Sequence, residues 1–188
     1  MKKQFFISLF LIFFFFLLFF AFCFFYNKMS EKSKKEPIVK FATSKNILIT
    51  NKLPLSDTLG KKINSASADE NIGGYVSFVV TNRNNFSINY DIYLTKKDTQ
   101  HNRIKDNYIK FYLTDSKDIP YSGFERNKIV SYNDLFSLSD KPKSKLLYRG
   151  VLPKKGSKYF KIRVWLSDSY IIEDYIEDFA VDVDVRMK

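Results

Sequence analysis

The sequence predicts an all-β fold, an antiparallel β-sandwich of immunoglobulin-like or jelly-roll-like type, preceded by one N-terminal transmembrane helix. Three observations carry this. Residues 5–26 form an uncharged run that holds 12 of the 20 Phe. The rest of the chain alternates apolar and polar residues with a period of two, the pattern of half-buried strands. Gly, Pro and Asn divide it into short pieces with almost no amphipathic helix between them.

Residues 1–4 are a short basic tail, and residues 5–26 follow as the expected signal-anchor. At a rise of about 1.5 Å per residue the run reaches about 33 Å, enough for a hydrocarbon core of about 30 Å. A secretory h-region is shorter, about 7 to 15 residues, so an uncleaved single-pass anchor is expected, with secretion after signal-peptide cleavage as the alternative. Small residues at cleavage spacing occur only at Ala21 and Cys23, inside the run. Phe22 stands against lipid attachment at Cys23, which reads as an apolar membrane residue. Six Lys between Lys28 and Lys45 would place the following part in the cytoplasm by a strict positive-inside count. Against that, a tail beginning Met-Lys-Lys is the usual start of an export signal, and a folded domain translocates largely regardless of charge. The C-terminal domain is therefore expected outside the cytoplasm, and since it has no Cys its stability must come from its core.

Residues 27–37, NKMSEKSKKEP, read as a Lys-rich linker, and residues 38–188 as one sandwich domain. In KYFKIRVWL, Phe160, Ile162, Val164 and Leu166 share one face, and Tyr159, Lys161, Arg163 and Trp165 the other. Phe179, Val181, Val183 and Val185 alternate likewise with Ala180, Asp182, Asp184 and Arg186, and Ile88, Tyr90, Ile92 and Leu94 with Asn89, Asp91, Tyr93 and Thr95. Runs at 75–80, 108–113 and 146–152, with IVKF and NILIT, bring the expectation to seven or eight strands. Asn82-Arg83-Asn84-Asn85 has the chemistry of a hairpin turn. Short helices are expected only around 56–68 and 131–139.

Catalytic chemistry finds little support. The sole imidazole is His101, in a polar loop, so neither a zinc site of the usual composition nor a choice of nucleophile and base pairs is available. No phosphate-cradling Gly motif occurs. A non-enzyme without cofactor is expected.

Two charge features stand out. Lys141, Lys143, Lys145, Arg149, Lys154, Lys155, Lys158 and Lys161 follow one another with no intervening acid, a candidate anion-binding or partner-binding face supported by Tyr148, Tyr159 and Trp165. The plainer alternative is that Lys on edge strands and turns prevents edge-to-edge association. Its ligand would be an anionic cell-surface polymer, a lipid surface or another protein; nucleic acid is not expected, for want of a recognition motif. The second feature is acidic, from Asp168 to Asp184, where Asp168, Glu173 and Asp174 are candidate calcium ligands without the ordered spacing and Gly of an EF-hand. A basic and an acidic edge on one domain would also permit head-to-tail homo-oligomers.

With VSFVVTNRNNFSINYDIYL following the apolar segment, the chain resembles the TasA/camelysin type of secreted or anchored β-sandwich surface proteins of Gram-positive bacteria, over residues 72–95. The resemblance implies a sandwich and a role in assembly or matrix, and it carries over no site residue. The expected function is surface binding, adhesion or assembly by a membrane-anchored domain. The alternative is an accessory subunit whose Phe-rich helix packs on partner helices.

Overall fold

The computed structural model describes residues 12–26, 37–50, 53–66, 72–98, 104–141, 143–172 and 178–188. They form two compact units, divided between Lys35 and Glu36.

The described residues of the first unit, 12–26, form one helix, α1. Among the described residues no helix is long and apolar enough to cross a membrane. Of the run 5–26, residues 5–11 lie outside the described residues, as does all of the linker except Pro37. From Ile12 to Tyr26 every large apolar side chain is 50 to 68% exposed, so α1 is apolar all round and presents no polar face.

The second unit is a sandwich of two five-stranded sheets. Its strands are β1 (Ile38–Phe41), β2 (Asn46–Thr50), β3 (Gly74–Thr81), β4 (Ile88–Lys96), β5 (Ile109–Thr114), β6 (Val130–Ser131), β7 (Phe136–Ser137), β8 (Ser144–Leu152), β9 (Ser157–Leu166) and β10 (Asp178–Met187). One sheet has the order β1-β3-β9-β5-β6, the other β2-β10-β4-β8-β7, and all the strand pairs are antiparallel. Ten strands replace the expected seven or eight because β6 and β7 are two-residue strands, too short to leave a period in the sequence. The pairs β2 with β10, β3 with β9, β4 with β8, and β5 with β6 are nested: the first half of the domain runs back along the second half as one long ribbon. Folding that ribbon over sets β4 beside β10 and β5 beside β9, which closes the two sheets.

The core lies between the sheets, where the alternating rows meet. Phe78, Phe160 and Phe111 from one sheet and Tyr90, Ile92, Phe179 and Val181 from the other are fully buried. Phe78 and Phe160 stack at 5.3 Å, Tyr121 stacks on Phe160 at 4.7 Å, and Tyr90 meets Phe160 edge-on at 6.2 Å. Gly150 makes room for this cluster: a Cβ there would lie 2.7 Å from the Tyr148 ring and 2.9 Å from the Tyr90 hydroxyl.

The rows expected to face water differ from one another. Asp182, Asp184 and Arg186 do point outward and are half-buried, but Arg163 and Trp165 on the outer face of β9 are buried. The β2–β3 connection covers them. It carries the short helix α2 (Asp57–Gly60), whose Gly60 lies so close to the Trp165 indole that a Cβ would overlap the ring at 2.2 Å. Arg163 donates from Nε to the Ile63 carbonyl (2.8 Å), from Nη1 to Thr114 Oγ1 (2.8 Å) and from Nη2 to Asp118. Each guanidinium nitrogen thus has a partner under its cover, as a buried charge requires.

The turn at 82–85 is not a hairpin. β3 and β4 lie in different sheets, so the connection crosses between them, and Asn82 organises the crossing. Its side chain is fully buried, donates to the Phe86 carbonyl (2.7 Å) and the Pro153 carbonyl (2.9 Å), and accepts from the Asn84 amide (2.9 Å).

Candidate functional site

The eight basic residues of 141–161 do not share one face, because β8 runs the length of the sandwich and β9 returns in the opposite sheet. At the start of β8, Lys143 pairs with Asp98 at 2.7 Å. Lys145 is buried, donates to the Tyr132 carbonyl at 2.9 Å and sits 4.7 Å from that ring's centroid. Its role there is to close the core at that end, with Tyr132 bonded in turn to the Lys143 carbonyl at 3.0 Å. Lys141 is exposed in the preceding turn. Midway along, Arg149 is bound to Asp91 on the outer face of its sheet, and Lys161 to Asp118 (3.0 Å) and the Ser116 carbonyl (2.9 Å) on the other. The edge-guarding alternative suits Arg149, since β7 pairs only with Leu146 and Lys145 and leaves the rest of that side of β8 open. It does not suit Lys161, which pairs with Ser77 of β3 and Thr114 of β5, whereas Lys158 lies beyond the end of β5 and pairs only with Val80.

The outer face of the β2-β10-β4-β8-β7 sheet is an ion-pair ladder. Asp184 holds Lys45 (2.9 Å) and Asp182 holds Lys97 (3.2 Å). Two of the acids in the expected acidic edge are therefore partnered within the chain. Asp91, its side chain 1% exposed, accepts from Arg149 Nε (2.9 Å), the Tyr93 hydroxyl (2.9 Å) and Lys188 Nζ (3.3 Å). Desolvation raises its pKa, but these bonds together outweigh burial and hold the carboxyl below its usual range. A carboxylate depressed in the folded state stabilises the fold fully above its unfolded pKa of about 3.9 and loses that contribution as pH falls through the folded value. Chemical denaturation should therefore give a flat stability from pH 7 to 5 and a decline below about pH 4, and Asp91→Asn should make that decline shallower.

Of the candidate calcium ligands, only Asp168 lies among the described residues. Asp168 is exposed and its backbone amide donates to the Leu55 carbonyl, while Glu173 and Asp174 lie outside the described residues, as does His101. Among the described residues no group of three His, Cys, Asp or Glu is placed to hold a metal ion.

Lys154 and Lys155 behave differently from the rest. They form the β8–β9 turn, which packs against the β3–β4 connection at one end of the sandwich. The Lys155 amide donates to the Asn84 carbonyl (3.2 Å), the Asn82 amide to the Gly156 carbonyl (2.8 Å), and Lys155 Nζ to the Arg83 carbonyl (2.7 Å). Lys155 adopts φ +54°, left-handed backbone that costs a non-glycine residue about 1 to 2 kcal/mol, and its cross-loop bonds offset that cost. Arg83, Lys154 and Lys155 are exposed on this frame, with Lys158 half-buried beside them. Neither 82–87 nor 153–156 contains an acid, and among the described residues no carboxylate lies within ion-pair distance of these four cations. Phe86 stands on the same end, 44% exposed.

Sequence reading thus names Lys154, Lys155 and Lys158 but misses Arg83 and Phe86, which lie about 70 residues earlier and reach the site only through the pairing of β3 with β9. The signal available was an Arg and a Phe set within an Asn-rich turn, residue types that a connection needed only for turning does not require. Compared with known proteins, the chain matches no protein-family model, no curated protein and no solved structure.

Proposed function

We propose that this protein is a membrane-anchored binding module, a sandwich of jelly-roll topology held outside the cytoplasm, which binds a polyanion through its cationic end and does not turn over a substrate. The jelly-roll assignment is supported by the nested pairs, outermost strand with outermost and innermost with innermost, joined where β4 meets β10 and β5 meets β9. The anchor is supported by α1, whose all-round apolar surface suits lipid.

The observation that carries the binding role is the contrast in charge. Lys45, Lys97, Lys143, Arg149, Lys161 and Arg163 each have a carboxylate partner. Arg83, Lys154, Lys155 and Lys158 have none among the described residues, as is true also of Lys61, Lys62, Lys117 and Lys141, but the first four lie on or beside two loops that are bonded to each other. Concentrated unneutralised charge raises the local concentration of an anionic polymer and confers steep salt dependence.

Titration of the full chain in detergent micelles with polyphosphate tests this. Binding should weaken steeply between low and physiological salt, and R83E/K154E should lower affinity by about tenfold or more. These two side chains are chosen because, unlike Lys155, neither donates a bond that holds the loops. Unchanged affinity in R83E/K154E, or an equal loss in K141E/K143E at the opposite end, would overturn the assignment.

A further inference from the structure

The chain enters the sandwich at the cationic end. β1 begins at Ile38, which pairs with Thr81, the residue before Asn82 and Arg83. Lys188, at the other terminus, returns to the same end, its amide bonded to the Asn89 carbonyl at 3.0 Å. Only residues 27–37 separate Tyr26 from Ile38, a reach of at most about 40 Å when fully extended. The opposite end lies further off by the length of β9, whose ten residues at about 3.3 Å each add about 33 Å. A tether from an anchored α1 therefore joins the domain at its cationic end. A tether this short would hold headgroups at about millimolar effective concentration for the domain, which favours the bilayer as the polyanion.

The chemistry of that end agrees. Arg and Lys in the headgroup layer are attracted to anionic lipid, about fivefold in binding per charge. Phe86 supplies an aromatic ring suited to the boundary between headgroups and acyl chains, its backbone fixed by the bond from Asn82 to its carbonyl.

Resting on the anchored, polyanion-binding reading above, we infer that the polyanion is the bilayer itself: Arg83, Lys154 and Lys155 bind the phosphates of anionic phospholipids, Phe86 seats among the headgroups, and the domain lies docked on its own membrane.

The test uses the full chain in lipid nanodiscs, one set of phosphatidylcholine alone and one with three parts in ten of phosphatidylglycerol, read by amide hydrogen exchange. The 82–87 and 153–156 segments should exchange at least fivefold more slowly in the anionic discs, the 139–145 turn should not change, and R83E/K154E should abolish the difference. Equal exchange in both discs overturns the lipid assignment. If polyphosphate added to the neutral discs then protects the same loops, the polyanion reading stands and only its ligand is wrong; if it does not, both fall. Failure of the chain to enter either disc overturns the anchor, and this assignment with it.

Discussion

Replacing Phe160 by Ala should lower the unfolding free energy by about 3 to 5 kcal/mol. Phe160 is fully buried and is the ring on which Phe78, Tyr90, Tyr121 and Tyr148 all converge, with centroids 4.7 to 6.2 Å away. Those neighbours come from both sheets and from the loop after β5. They cannot collapse together into the void, because each is fixed by its own strand or, for Tyr121, by a hydroxyl bond to the Tyr159 carbonyl at 2.7 Å. The transfer term and the cavity term therefore add. Urea denaturation followed by the fluorescence of Trp165, the one Trp in the chain, reads the loss directly. Phe160→Leu, which keeps most of the volume, should cost less than half as much. A cost below about 1 kcal/mol for Phe160→Ala would mean that the two sheets do not meet at this ring.

Asn82→Ala should cost about 2 to 4 kcal/mol and should also remove binding at the cationic end. The side chain is fully buried and bridges two loops distant in sequence, so its loss strands the Phe86 and Pro153 carbonyls and the Asn84 amide. Each buried polar group left without its partner costs about 1 to 3 kcal/mol, less where the loop can relax to admit water. Asn82→Asp keeps the acceptor for Asn84 but replaces the donor with a charge facing two carbonyls, so it should be at least as damaging. Both variants should retain folded β-structure at low temperature while losing affinity for polyphosphate, since Arg83 and Lys155 are held together through the frame that Asn82 builds. Unaltered affinity would show that the loops do not need this bridge to present their charges.

The inward rows were legible because strands buried on one face must alternate, and β4, β9 and β10 keep that alternation without a break. Burial on the outer face was not legible. Nothing around Arg163 and Trp165 announces that residues 53–66, a hundred positions earlier, fold over them; what reads as a solvent row is a second, smaller interior. The same limit explains the turn at 82–85, whose Asn-rich chemistry signals a change of direction but not whether the chain returns in the same sheet or crosses to the other. It also explains the basic run. Eight cations consecutive along 141–161 suggest one surface, yet a strand of nine residues carries its ends about 30 Å apart, and the next strand belongs to the other sheet. Charges adjacent in sequence were therefore separated, and Arg83 was brought in from elsewhere.

The most direct measurement is an amide-exchange footprint of the full chain in micelles with and without polyphosphate, comparing the two ends of the sandwich. Protection is expected at 82–87 and 153–156, diminishing as salt is raised, with no change in the turn before β8. Protection confined to 139–145, or none anywhere, would contradict it.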